Sequence, residues 1–108
     1  MNFYPSNWYT QIQPANILRI EAIKNYCKIY FNNNQAALVL CSTLMRVQER
    51  LPSEMFIRVH RSHLVNWIHV KEIKKKPVMR VEMTNGEYVP VSRRKANTRE
   101  NPYYNCFC

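Results

Sequence analysis

Ile17-Leu18-Arg19-Ile20-Glu21-Ala22, a Lys24-Asn25 break, and Tyr26-Cys27-Lys28-Ile29-Tyr30-Phe31 together decide the fold class of this chain. Both runs are rich in β-branched and aromatic residues and show the two-residue alternation of a half-buried strand, so they read as two strands joined by a short polar turn. Asn32-Asn33-Asn34 follows as a tripeptide that tolerates positive φ. Ala36 to Leu40 then reads as a return strand, giving a hairpin.

Further along, Leu44, Val47, Gln48 and Leu51 recur at i, i+3, i+4 and i+7. With Ser42 as N-cap and Pro52 as terminator, this predicts an amphipathic helix over 43–51. Short branched runs follow at Ile57-Arg58-Val59, Val70 to Lys75 and Val78 to Met83. Thr84-Asn85-Gly86 leads into Tyr88-Val89-Pro90-Val91, and Asn-Gly between alternating strands is the strongest hairpin signal in the chain. A C-terminal turn of helix is expected from Arg93 to Arg99. Before Ile17, Pro5 and Pro14 break regular structure, and Trp8, Tyr9 and Ile12 are expected to lie across a sheet as a short strand or loop. The pattern is mainly β with one short helix. It divides into an irregular N-terminal segment (1–16), a domain (17–99) and a tail (100–108).

At 108 residues the chain fits one domain with one continuous core. Sixteen Lys and Arg against seven Asp and Glu give a net charge of +9, which favours a polyanionic partner such as nucleic acid or anionic lipid. A single glycine excludes the phosphate-cradling loops of P-loop and dinucleotide sites, so no nucleotide cofactor is expected. No apolar run approaches the roughly 18 residues of a spanning helix. Met1-Asn2-Phe3-Tyr4-Pro5 lacks the regions of a secretory signal, so a cytosolic location is expected. Cys27, Cys41, Cys106 and Cys108 lack paired zinc-module spacing and read as free thiols, with the Cys106-Phe107-Cys108 tail a weak metal signal.

The polar side chains gather in a few places. The densest is Phe56-Ile57-Arg58-Val59-His60-Arg61-Ser62-His63-Leu64-Val65-Asn66, where polar groups interleave with apolar anchors. His60 and His63 alone make a weak metal pair, and no nucleophile or orienting acid completes a hydrolytic site around His60. Two readings of His60 and Asn66 stand open: satisfying buried backbone groups at a tight turn, or facing a ligand. Arg61 differs, because its planar fork matches guanine O6 and N7 in a major groove. Ser92-Arg93-Arg94-Lys95 sets three cations after the last strand, where a helix start would repel them and an anionic partner would not. Lys74-Lys75-Lys76 is either a phosphate contact or a guard against edge pairing. At Lys24-Asn25-Tyr26-Cys27-Lys28, Asn25 is a turn former or a bidentate partner for adenine, and Lys28 is placed to meet a phosphate.

These residues resemble the LytTR DNA-binding domain, the output module of bacterial response regulators. The resemblance runs from about Ile17 to Arg99. It rests on Ile20-Glu21-Ala22 with Asn25-Tyr26, on the helix ending in Arg50-Leu51-Pro52, and on Phe56 to Ser62 with Val65-Asn66. Asn85-Gly86 leading to Pro90-Val91-Ser92-Arg93 completes it. It implies an elongated stack of small antiparallel β-sheets whose loops, rather than a recognition helix, enter successive major grooves. The implied base-reading loops are Asn25, Tyr26, Cys27 and Lys28; His60, Arg61 and Ser62; and Ser92 with Arg93. Arg61 and Arg93 would read bases, while Lys28, Ser62, Asn66 and Arg94 would hold the DNA backbone. A receiver domain, usual in such regulators, has no room in this length.

The expected function is therefore sequence-specific binding of double-stranded DNA by a bacterial transcriptional regulator, with a second copy a possible neighbour on adjacent repeats. No enzymatic activity, cofactor, metal, membrane or small-molecule substrate is expected. The rival readings are a basic protein-interaction module and a single-strand or RNA-binding β domain using Tyr26, Tyr30 and Trp67 as stacking platforms.

Overall fold

The computed structural model describes residues 7–96, with only the backbone described at 95 and 96. Its elements are β1 (Ile17–Ile23), β2 (Tyr26–Phe31), β3 (Leu38–Leu40), α1 (Leu44–Glu49), β4 (Phe56–His60), β5 (His63–Asn66), β6 (Val70–Lys74), β7 (Arg80–Met83), β8 (Tyr88–Pro90) and α2 (Arg93–Ala96). They form a five-stranded sheet in the order β3-β2-β1-β5-β4 and a three-stranded sheet in the order β6-β7-β8. Every paired neighbour is antiparallel. The molecule is mainly β, as its alternation implies, and elongated, with extents of 39 × 26 × 24 Å.

The five-stranded sheet buries both faces, and each face has its own core. On one side Ile17, Ile20, Cys27, Ile29, Leu38, Leu40, Phe56 and Leu64 pack with Trp8 and with Leu44, Val47 and Leu51 from the helix region. On the other, Leu18, Ile57, Val59 and Val65 meet Val81, Met83 and Val89 of the smaller sheet. Strict alternation would put Leu18 and Ile20 on the same face. A bulge in β1, where Ile17 pairs Phe31 but Arg19 already pairs Tyr30, sends Leu18 to the second core while Ile17 and Ile20 share the first. Arg19 extends from this bulge to Glu87 in the turn between β7 and β8, at 3.3 and 2.9 Å, and to Glu21 at 3.3 Å. Its guanidinium also lies 4.0 Å from the centre of the Tyr30 ring. Burial pulls this group down, but Glu87 and Glu21 outweigh it and hold the guanidinium above its ordinary value.

Several elements differ from the sequence expectation. The helix is Leu44–Glu49, and its N-cap is Thr43, not Ser42: Thr43 Oγ1 accepts from the Arg46 amide at 3.2 Å. The Ser42 hydroxyl instead meets the Thr43 carbonyl at 3.3 Å. The return strand is confined to Leu38–Leu40, because the chain emerging from the asparagine turn, with Asn34 at φ 63°, rejoins β2 only at Leu38 opposite Ile29. Of the strand or loop expected at Trp8 and Tyr9, the structure forms a loop with a 3-10 turn over Trp8–Thr10, and the two rings meet edge to face at 5.7 Å. β5, not anticipated as a strand, is interior, between β1 and β4. At the Asn85-Gly86 turn, Gly86 takes φ 91° and Met83 closes the hairpin by donating to the Glu87 carbonyl at 2.8 Å. The expected helical turn after Ser92 is present over Arg93–Ala96; its continuation to Arg99, and the tail with Cys106 and Cys108, lie outside the described residues.

Candidate nucleic-acid interface

Antiparallel pairing decides which loops meet. Ile23 pairs Tyr26 across the Lys24-Asn25 turn, and Glu21 pairs His63 at the start of β5. The β1–β2 turn and the β4–β5 turn therefore sit at one end of the large sheet, side by side. The Ala22 amide donates to the Ser62 carbonyl at 2.8 Å and ties the two together. The chain leaving β8 joins the same end: the Ser92 amide donates to the Val59 carbonyl at 2.7 Å, and α2 packs along β4. Three polar segments far apart in sequence thus become neighbours through backbone hydrogen bonds.

At the β1–β2 turn Lys24 and Asn25 are exposed, with Lys24 held at φ 55°. A lysine in this left-handed region carries a strain that glycine would not. Tyr26 and Lys28 are half-buried on β2, the Lys28 ammonium lying 5.3 Å from the Tyr30 ring centre. At the β4–β5 turn Arg61 is exposed and Ser62 half-buried. His60 Nδ1 accepts the Ser62 amide at 3.1 Å, which leaves Nε2 carrying the proton of the neutral ring. Arg58 bends back over the turn, its Nε donating to the His60 carbonyl at 3.0 Å and a terminal nitrogen to the Arg61 carbonyl. After β8, Ser92 is half-buried and Arg93 and Arg94 are exposed. No acidic side chain among the described residues forms an ion pair with Lys24, Arg61, Arg93 or Arg94.

Two of the expected contact residues lie inside the fold. Cys27 is fully buried, with its thiol 3.2 Å from the Ser42 carbonyl, and burial pushes that thiol up against the weaker pull of Arg58. Asn66 is also fully buried: its Nδ2 donates to the carbonyls of Pro14 at 3.1 Å and Ile17 at 2.8 Å, and its Oδ1 accepts the Ile68 amide at 3.2 Å. The surface offered at this end is built without these two side chains, because their polar atoms already have partners in the chain.

Two further side chains shape this end of the sheet. Arg58 carries no local signal of its role, because its targets are carbonyls of the turn and only the folded hairpin brings them under it. His63 faces Glu21 across the β1–β5 pair and stacks edge-on to His60 at 5.3 Å, with its Nδ1 buried and unpartnered among the described residues. Burial holds its imidazole below the ordinary value; Glu21 opposes this, while His60 and Arg19 reinforce it. Elsewhere, among the described residues, no three metal-ligating side chains cluster and no helix is long and apolar enough to cross a membrane.

Comparison with known proteins places this geometry. Residues 8–99 match the model of the LytTr DNA-binding domain family. The sensory transduction protein LytT of Enterococcus faecalis is 30% identical over 84 residues, covering 76% of this chain and 34% of that protein. The protein of the same name in Bacillus subtilis is 42% identical over 53 residues, 47% of this chain and 22% of that one. The chain thus spans about a third or less of these relatives. Among solved structures, a LytTr DNA-binding domain from a Bacillus cereus response regulator superposes with a TM-score of 0.72 at 28% identity, covering 80% of this chain and 79% of that one. The two-sheet arrangement and the matched span agree: this chain belongs to the LytTR family of DNA-binding domains, a non-enzymatic family that binds DNA in transcription regulation.

Proposed function

We propose that the chain recognises specific sequences in double-stranded DNA with the loop end of its five-stranded sheet. The observation that carries this is the convergence of Lys24, Arg61, Arg93 and Arg94 at that end without acidic partners among the described residues. Arg61 and Arg93 read base edges in the major groove, where a guanidinium fork matches guanine. Asn25 reads from the β1–β2 turn. His60, through its Nε2–H, together with Ser62, Tyr26, Lys28, Ser92 and Arg94, meets sugar and phosphate and sets the register. The domain acts in this way as a bacterial transcriptional regulator in the cytosol, and two copies occupy adjacent repeats when the operator offers them.

The test is selection of bound duplexes from a randomised pool, followed by titration of the winner and a scrambled control. Arg61→Ala and Arg93→Ala should each weaken the selected duplex by about 1–3 kcal/mol and relax the preference at one position. Equal weakening on both duplexes would remove these arginines from base reading. Better competition by single strands or RNA than by duplex would favour stacking on Tyr26 and Tyr30 instead.

A further inference from the structure

The turn that carries Arg61 is held by more hydrogen bonds than a hairpin needs to close. The Ser62 amide is taken by His60 Nδ1 at 3.1 Å, and the Ser62 carbonyl by the Ala22 amide at 2.8 Å. Arg58 supplies two further bonds from one guanidinium, to the His60 carbonyl at 3.0 Å and to the Arg61 carbonyl. A bulge interrupts the β4–β5 ladder between Arg58 and His60, and pairing resumes only at His60 opposite His63, next to the turn. A planar fork with fixed spacing suits two neighbouring carbonyls, whereas an ammonium offers a single centre.

We propose that Arg58 is a positioning residue for DNA recognition: it clamps the carbonyls of His60 and Arg61 so that the Arg61 side chain is preset toward the groove. This rests on the reading of the loop end as the DNA surface. The alternative role for an arginine so placed is a direct phosphate contact, and the two differ in what they do to specificity and to salt dependence. A phosphate contact weakens every duplex alike when lost, and lowers the magnitude of the salt slope by about 0.9. Loss of a clamp reduces discrimination while leaving non-specific affinity in place, because ordering Arg61 matters only where a base edge matches it.

The decisive variants are Arg58→Lys, which keeps the charge but not the fork, and Arg58→Gln, which keeps neither. Positioning predicts that Arg58→Lys binds the selected duplex about tenfold more weakly. It also predicts that both variants bind the scrambled duplex like the parent, with an unchanged salt slope. Near-parental selectivity in Arg58→Lys, or a reduced slope in Arg58→Gln, would overturn the proposal in favour of a phosphate contact. A measurement on the unmodified chain guards against variants that fail to fold. The Arg58 Nε–H resonance should exchange slowly in the free protein and stay in place on adding duplex; rapid exchange, or a large shift on titration, would refute the clamp. Because that readout on the free protein needs no DNA, it can fail while the DNA reading stands. A parent chain that prefers no duplex would instead sink the DNA reading and leave the clamp measurable.

Discussion

Asn66 and Arg61 stand five positions apart and take opposite roles. Asn66 donates through Nδ2 to the carbonyls of Pro14 and Ile17 and accepts the Ile68 amide at Oδ1, fastening the segment before β1 to the end of β5. An aspartate there would keep the acceptor but set a carboxylate oxygen against two buried carbonyls. Asn66→Asp should therefore cost about 2–3 kcal/mol or more of stability in chemical denaturation, with DNA affinity of the folded fraction unchanged. Arg61 is exposed at the tip of its turn and should show the reverse: parental stability and lost selectivity. The sequence separates Arg61 by its guanidinium fork but leaves Asn66 open between a buried backbone partner and a ligand. Their difference is set by Pro14 and Ile17, some fifty positions away, which no local spacing reveals.

Elements show where local rules suffice and where they fail. β1, β2 and the Asn85-Gly86 hairpin were legible because each carries its own alternation or turn chemistry. β5 was not: His63-Leu64-Val65-Asn66 lacks alternation because it is an interior strand, with Leu64 and Val65 buried in opposite cores. The join between the sheets was equally hidden, since Arg19 and Glu87 lie 68 positions apart. The Arg19 guanidinium, helped by Asn85, holds the Glu87 carboxyl below its ordinary value of 4.5, against a smaller upward push from burial. A carboxyl depressed on folding stabilises the fold above its unfolded value. That contribution fades as pH falls through 4.5 toward the lower folded value. Glu87→Gln should thus lower Tm at pH 7, and the gap from the parent should narrow progressively as pH falls below 4.5 in parallel thermal melts. A gap that persists at low pH would show that the Arg19 contact acts through shape rather than charge.

At the scale of the whole molecule, the excess of nine positive charges matters through its placement. The ion pairs among the described residues engage Arg19 in β1 and Lys71 and Lys74 in the small sheet, and leave the cations of the loop end outside them. If about five phosphates are neutralised there, log K for the selected duplex should fall with log salt at a slope near −4 to −5. Titration across salt concentrations checks this; a slope near −1 would mean that the cations face something other than a DNA backbone. The candidate loops could be named from sequence, because arginine and asparagine in turns carry recognisable chemistry. Their assembly into one surface could not, because it depends on backbone bonds such as Ala22 to Ser62 and Ser92 to Val59.

The bulge in β1 limits how this chain can change length. With its extra residue, Leu18 and Ile20 point into different cores, and Arg19 is aimed at the turn of the second sheet. Deleting Leu18 or Arg19 would restore a regular ladder, yet would strip the second core of an anchor in the one case and Glu87 of its arginine in the other. Insertions and deletions are far better absorbed between Phe31 and Leu38, where residues 32–36 are exposed and outside any strand. The same three positions, 17 to 19, thus set which core each side chain of the strand enters and where the arginine crosses to the second sheet.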